Sequence, residues 1–434
     1  MKYGIYTLGC KVNTYESNVM ADVLHNHGYQ EGTDQDALAV AVINTCTVTN
    51  TADQKSKKLI RRVIHHHPEA IVVVVGCLSQ NKKEEVMAIP GVAVVLGNVD
   101  KSHLLTYIAA YQKTGVQQVS VGPLENVPFE TMKLNNFNKT RAFVKIQDGC
   151  NNFCSYCIIP YTRGDVRSKK REDVLEEVRS LIAHGHKEIV LTGIHTGNYG
   201  AEFKQYQFAD LLEELVQISG LERLRISSIE ITELNERVLA VLEKSPILVD
   251  HLHVPLQSGS DSVLKRMNRK YNSAYFMEKI AKIRSIRPNI SITTDVIVGF
   301  PGESWEEFTQ TITTIQRICF TKLHVFPYSR RVGTVADQMP DQIAEVVKKE
   351  RVHQLMALSK QLEIEYMEKF IGTEVTFLPE IYRDGFLIGH TGNYLNIKVR
   401  GPKEQLNQDC LVLLESIKYP YIEGTVKQTD EVYQ

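Results

Sequence analysis

Six short apolar runs recur from residue 142 onward: "AFVKI", "EIVLT", "RLRIS", "HLHV", "ITTDVIV" and "KLHVF". Between them lie stretches of helical periodicity such as "REDVLEEVRSLIAHG", "DLLEELVQISG" and "SWEEFTQTITTIQRI". A strand that returns parallel to its predecessor needs a crossover of about a dozen residues, usually a helix. The alternation therefore predicts an α/β chain with a parallel, barrel-like sheet at its centre. Chemistry in such sheets gathers at the carboxyl ends of strands. That rule nominates Thr192 and Gly193, Ser228 and Glu230, Gln257 and Ser258, Asp295, and the turn at 299–303. Singly, each also reads as a strand-end turn or a helix cap, as Ser304 does before "WEEF".

Two sets of cysteines are superimposed on this pattern. In "GCNNFCSYC", at 149–157, Cys150, Cys154 and Cys157 stand close together, and no second Cys or His pair follows at zinc-ribbon spacing. Three thiolates can hold three irons of a cubane 4Fe-4S cluster and leave the fourth iron open to a ligand, whereas electron carriers use four cysteines. Gly149, Asn151 and Asn152 supply the backbone freedom such a loop needs. The second set is dispersed: Cys10 follows "KYGIYTLG", Cys46 follows "LAVAVINT" and Cys77 follows "AIVVVVG". Separations of 36 and 31 residues match one strand-helix-strand unit each. Parallel strands bring their ends to one sheet edge, so the three thiols converge. The helices between them are "YESNVMADVLHNHG" and "TADQKSKKLIRRVIHHH". Cys319 and Cys410 have no such placement and read as core residues.

Bulk properties limit the remaining classes. A chain of 434 residues carries about three domains. A net charge of -1 gives no global field toward nucleic acid, so any such affinity is local. No signal peptide or membrane-length apolar run is present, and a cytoplasmic protein is expected. Its eight cysteines then point to metal or redox sites before disulfides.

"CNNFCSYC" resembles the signature of the radical S-adenosylmethionine superfamily, Cys-x3-Cys-x-aromatic-Cys, with Tyr156 in the slot beside the cofactor's adenine. The resemblance implies that the cofactor chelates the open iron and that its reductive cleavage yields a hydrogen-abstracting radical. It also implies that Thr192 and Gly193, Ser228 and Glu230, with Gln257 and Asp295, contact the cofactor, and that Arg163 or Arg167 balances its carboxylate. Together with the dispersed set, the whole chain resembles the methylthiotransferase family. The motifs are "TLGCKVNTYES", "NTCTVTNTA", "DGCNNFCSYCIIPYTRG", "PLQSGSDSVLKRMNRKY", "DVIVGFPGE" and "FPYSRRVGTVA". This likeness implies two 4Fe-4S clusters, the first on Cys150, Cys154 and Cys157 and the sulfur-handling second on Cys10, Cys46 and Cys77. It also implies two molecules of S-adenosyl-L-methionine per product, a reductant such as flavodoxin or ferredoxin, and a sulfur donor.

After a long Lys- and Glu-rich helix the pattern changes to "TEVTFLPEIY", "FLIGHTGNYLNIKVR", "CLVLLESI" and "EGTVK", which reads as a small all-β barrel. It resembles the RNA-binding TRAM domain, including the hairpin Gly392, Asn393, Tyr394. The expected domains are 1–120, flavodoxin-like with the second cluster; 136–370, a radical partial (β/α)6 barrel; and 371–434, TRAM. Acidic residues outnumber basic ones over 371–434, so RNA contact needs a one-sided patch such as Arg383, Lys398 and Arg400, with Tyr394 or Phe386 stacking on a base. The runs "KSKKLIRR", "RSKKR" and "KRMNRK" are candidate phosphate contacts or solvated helix faces. The histidines at 65–67 read as a helix end.

The pair Lys11-Val12 after the first cysteine matches, by family association, the branch acting on N6-threonylcarbamoyladenosine (t6A) beside the tRNA anticodon. The isopentenyladenosine branch has Gln-Met there and the ribosomal-protein branch Pro-Lys. The absence of the C-terminal membrane anchor of eukaryotic members favours a bacterial type. Other readings of the same cysteines are a noncatalytic iron-sulfur RNA-binding protein, and a radical methyltransferase whose N-terminal domain is structural.

Overall fold

The structure is a computed structural model and describes residues 1–134 and 140–427. The expected first residue of the central domain, 136, and the tail from 428 lie outside them.

The first sheet comprises β1 (Lys2–Thr7), β2 (Gln30–Glu31), β3 (Leu38–Thr45), β4 (Ile71–Gly76), β5 (Val92–Leu96) and β6 (Gln118–Ser120). Its order is β2-β1-β3-β4-β5-β6 and all neighbours are parallel. Helices on both faces explain why β4 reads as an unbroken valine run. Tyr15, Val19, Met20 and Leu24 of α1 (Lys11–Asn26) pack with Val40, Val42, Val73 and Val75 on one face. Ile60 and Val63 of α2 (Asn50–His66) pack with Ala41, Ile43, Val72 and Val74 on the other. The α1 face continues into the central domain, since Val144, Ile146 and Leu191 belong to the same apolar cluster.

The central domain begins with β7 (Arg141–Lys145), followed by the short antiparallel pair β8 (Gln147–Asp148) and β9 (Arg167–Ser168). It continues with β10 (Glu188–Thr192), β11 (Arg223–Ile226), β12 (His251–His253), β13 (Ser291–Val298) and β14 (Lys322–Pro327). All six apolar runs are strands. They form two parallel three-stranded sheets, β11-β10-β7 and β12-β13-β14. The bridge Leu224 to Leu248 and the bond from Ile229 N to His253 O, 3.0 Å, join them into an open arc. A long helix, Glu345–Glu368, then leads to a closed barrel of β15 (Glu374–Arg383), β16 (Phe386–Thr391), β17 (Asn396–Arg400), β18 (Cys410–Lys418) and β19 (Tyr421–Val426), ordered β15-β16-β17-β19-β18. The chain is thus α/β with an N-terminal parallel sheet, a central half-barrel of six parallel strands and a five-stranded barrel consistent with TRAM. Among the described residues no helix is long and apolar enough to cross a membrane.

Cys410 is buried in the small barrel's core, as expected. Cys319 is not a core residue: it is exposed, in the left-handed conformation that ends the helix Trp305–Ile318.

Candidate active site between two cysteine sets

Strands β1, β3 and β4 are adjacent, so the residues just past them share one sheet edge. Cys46 directly follows β3, Cys77 directly follows β4, and Cys10 lies three residues past β1. Gly9 makes the closest approach possible. Its φ is +109°, and a Cβ there would stand 3.3 Å from Cys46 Sγ. Burial pushes the Cys46 thiol up to about 11, with Cys77 and Cys10 adding and Arg163 opposing, so the three sulfurs lie within electrostatic reach of one another.

The signature loop turns on Gly149, φ +75°, where a Cβ would collide with the Asp165 carbonyl at 1.8 Å. The other left-handed residue is Phe153; neither Asn151 nor Asn152 takes that role. Cys150 N donates to Gly164 O at 3.0 Å and Cys157 N to Cys154 O at 2.9 Å. Burial pushes the Cys157 thiol up to about 12, and Cys154 and Cys150 add to it. His195 places Nδ1 3.8 Å from Cys150 Sγ and Nε2 on Glu233. Burial disfavours its charged form, but Cys150 and Glu233 outweigh that and raise the imidazole to about 10. Arg269 donates to Cys154 Sγ at 3.2 Å and pairs with Glu230.

A buried charge network joins the two sets. Arg163 donates Nε to Cys77 Sγ at 3.3 Å, Nη1 to Glu16 Oε1 at 2.7 Å and Nη2 to Asn13 Oδ1 at 2.7 Å. Lys101 and Lys145 also pair with Glu16, and Asp148 binds Lys145 and Arg163. Burial opposes ionisation of Glu16, yet Arg163, Lys101 and Lys145 hold its carboxyl well below the ordinary range. This corrects one expectation. Arg163 is fully buried against Cys77, and Arg167 is buried with Nη1 on the Arg163 carbonyl at 2.8 Å, so neither guanidinium is open to balance a cofactor carboxylate. Glu16 and Asn13 were missed in "CKVNTYES", although residues three and six past Cys10 lie one helical turn apart on α1 and share a face.

The donor sets fit iron-sulfur clusters. Each is three cysteines with a guanidinium N–H on one sulfur, the donor chemistry that offsets the negative charge of cluster thiolates. Among the described residues no three His, Cys, Asp or Glu side chains close on a point as for a single ion. A cubane is gripped at its corners and spreads its thiolates wider than the ~2.3 Å bonds of one zinc do.

Beside Cys10 of the dispersed set lies a cavity of about 700 Å³ walled by all three domains. Cys10 and Lys11 come from the start of α1; Thr192, Gly193 and Ser228 from strand ends of the half-barrel, and Asp295 from inside β13 and not from its end as expected; His390, Tyr394 and Asn396 from the small barrel. The last three wall residues have no counterpart among the nominated site residues except Tyr394, whose expected role changes. It does not stand free to stack on a base. Its hydroxyl accepts from Arg141 at 3.0 Å, Arg225 lies 4.6 Å over its ring, and His251 packs 4.6 Å from it. Burial alone would raise its phenol, but Arg141, Lys11 and Arg225 draw it below the ordinary value. Burial lowers the Lys11 ammonium, with Tyr394 opposing and Arg225 and Arg141 adding.

Other nominated residues stand outside the cavity wall. Tyr156 packs against Val263, Met267, Phe300 and Tyr328 beside the signature loop. Gln257, φ +63°, ties β12 to β13 by accepting from Ile297 N at 2.9 Å. Glu230 is held by Arg269, as above. Ser258 is buried on Thr311, and Glu303 is buried on Gly299 N and Arg351, so this serine and the 299–303 turn serve the scaffold. In "RSKKR", Arg167 and Lys169 are buried, Lys169 pairing with Glu177, and in "KRMNRK", Arg266 pairs with Glu307. Lys170, Lys265 and Lys270 of these runs are exposed. Lys55, Lys58, Arg61 and Arg62 on α2 are exposed. The histidines at 65–67 close α2, with His67 buried. On the small barrel, Arg383, Phe386 and Arg400 form one cross-strand row, and Lys398 and Arg400 lie 4.3 and 4.9 Å over the Phe386 ring.

Residues 144–315 match the radical SAM superfamily, and residues 2–97 match the uncharacterized protein family UPF0004. The chain is 43% identical over 430 residues, 96% of its length and 95% of the relative's, to the threonylcarbamoyladenosine tRNA methylthiotransferase MtaB of Bacillus subtilis. It is 33% identical to the tRNA-2-methylthio-N(6)-dimethylallyladenosine synthase of the same organism, covering 98% of this chain and 85% of that one. A solved radical S-adenosylmethionine methyltransferase, TsrM of Kitasatospora setae with cobalamin and a [4Fe-4S] cluster bound, shares the fold at a TM-score of 0.56 and 14% identity, covering 76% of this chain and 75% of that one.

Proposed function

Because the chain belongs to the threonylcarbamoyladenosine tRNA methylthiotransferase family, we infer that it converts t6A beside the tRNA anticodon to its 2-methylthio derivative. The observation that supports this reading is a pair of three-cysteine sets in two neighbouring domains, with Arg163 from just past the signature loop on Cys77 of the other set and a cavity opening at Cys10. When bound, two 4Fe-4S clusters and S-adenosyl-L-methionine supply radical hydrogen abstraction, methyl transfer and sulfur insertion. Cys150, Cys154 and Cys157 would hold the radical-generating cluster and Cys10, Cys46 and Cys77 the sulfur-handling one.

The remaining residues have positional roles. Thr192, Gly193, Ser228 and Asp295 line the cavity where the cofactor would bind, with Tyr156, Gln257 and Glu230 behind them. Arg269 and Arg163 each donate to one sulfur and neutralise charge at it. A base must leave its stack to reach a cavity walled on three sides. Residues 1–120, 136–370 and 371–434 then act as sulfur-handling, radical and RNA-binding units. A flavodoxin or ferredoxin is the proposed reductant, a separate sulfur donor reloads the second site, and the cytoplasm is the proposed setting. Expression of the chain in a strain lacking its own t6A methylthiotransferase tests the reading: tRNA hydrolysates should regain the 2-methylthio nucleoside, and its continued absence would overturn it.

A further inference from the structure

Charge accounting in the cavity leaves one group over. Asp295 faces His253 at 3.3 Å, and Glu363 holds Lys322 at 2.9 Å. His390 pairs with Glu380 at 2.6 Å. Lys11 lines the same wall and makes no ion pair or hydrogen bond among the described residues. Around Tyr394 the two further cations are each paired, Arg141 with Glu380 and Arg225 with Glu188, but Arg225 Nη2 is buried without a hydrogen-bond partner. A half-buried cation without a partner loses its water when a ligand fills the cavity, which is costly unless the ligand supplies an anion. The ligand of this wall should therefore bring a negative charge.

Position narrows the ligand further. Lys11 directly follows Cys10, so its side chain enters the cavity beside the dispersed cysteine set, with Tyr394 and its arginines around it. Resting on the t6A reading above, we propose that Lys11 is a specificity-determining residue that receives the carboxylate of the substrate's threonyl group. An adenine with its C2 edge toward Cys10 would extend its N6 substituent along the wall toward Tyr394. A dimethylallyl group offers that wall no charge, so Lys11 selects against it by being left without a partner as the ligand displaces its water. The other carboxylate available is that of S-adenosyl-L-methionine, and the test separates the two.

The test measures equilibrium binding by the reconstituted holoenzyme, without reductant, of an anticodon stem-loop RNA carrying t6A and of the same RNA with the threonyl carboxylate as its methyl ester. A charged hydrogen bond predicts that wild type binds the acid about ten- to a hundredfold more tightly than the ester. Lys11→Met should lose that factor for the acid, leave the ester unchanged and bind S-adenosyl-L-methionine as wild type does; Lys11→Arg should recover part of the difference. Equal wild-type binding of acid and ester overturns the proposal whether or not Lys11→Met retains its iron. So does a Lys11→Met defect confined to S-adenosyl-L-methionine. If wild type turns over the acid and the ester alike, only the Lys11 assignment fails. If it methylthiolates neither, the t6A reading itself fails.

Discussion

Arg163 donates its Nε to Cys77 Sγ across 3.3 Å, although the two residues belong to different domains. The helical turn Ile159–Arg163 that follows the radical signature thus ends on a cysteine of the other set. The contact sets both where Cys77 points and what charge it meets. Arg163→Lys keeps the charge but loses the fork that reaches Cys77, Glu16 and Asn13 together. The protein should remain folded, with the reduction potential of the N-terminal cluster shifted to more negative values, because an N–H donor to sulfur favours the reduced state. Redox titration followed by electron paramagnetic resonance reads this, and an unchanged potential would remove Arg163 from that role.

Glu16 is the anion that three buried cations share. Glu16→Ala leaves Arg163 and Lys145 with Asp148 alone and Lys101 with no carboxylate partner among the described residues. Breaking a buried pair by removing one partner costs about 3–5 kcal/mol. The variant should unfold at clearly lower denaturant than wild type, and a midpoint within error of wild type would contradict the network's role in docking the first sheet on the half-barrel.

Glu307 gives a pH signature that involves no cysteine. Arg266 donates to it, burial opposes, and Ser262 and the backbone of Ser304 add, so its carboxyl is held at about 2 instead of the ordinary 4.5. A depressed folded-state value stabilises the fold above about pH 4.5 and loses that contribution as pH falls toward 2. Glu307→Gln should therefore be less stable than wild type at neutral pH, with the difference narrowing across that window in acid denaturation. A constant difference from pH 7 to pH 2 would contradict the assignment.

Phe386 stands among Arg383, Lys398 and Arg400 on the outside of the small barrel. Stacking of one unpaired base is worth about 1–3 kcal/mol. Phe386→Ala should weaken tRNA binding by about that amount without altering S-adenosyl-L-methionine binding, and Arg400→Ala should reduce the salt dependence of tRNA affinity. Filter binding across a salt series checks both; unchanged affinity and slope would leave this barrel face without a role.

Much of this was legible from residues alone because periodicity is local. The six strands of the half-barrel, the five of the small barrel and the strand-end placement of Cys10, Cys46 and Cys77 all follow from patterns within a few residues. Partner choice is not local. Arg163 reads as a cofactor contact because it follows the signature, yet its partners Glu16 and Cys77 lie 147 and 86 positions away. His195 and Arg269 reach Cys150 and Cys154 from separate strand-helix units, and no spacing rule links them. Tyr394 shows the same limit: a hairpin tyrosine suggests an exposed ring, while the docking of the small barrel on β7 and β11 turns it inward onto Arg141 and Arg225.

The division of labour between the two cysteine sets is the central claim, and nucleoside mass spectrometry of a Cys77→Ala reaction tests it most directly. The variant is reconstituted without oxygen and incubated with dithionite, S-adenosyl-L-methionine and t6A-bearing tRNA, beside wild type and Cys154→Ala. Wild type should add a methylthio group to t6A. Cys77→Ala should still release 5′-deoxyadenosine but leave t6A unchanged, and Cys154→Ala should do neither. Methylthiolated t6A from Cys77→Ala at the wild-type rate, or a wild-type mass gain on isopentenyladenosine alone, would contradict the account.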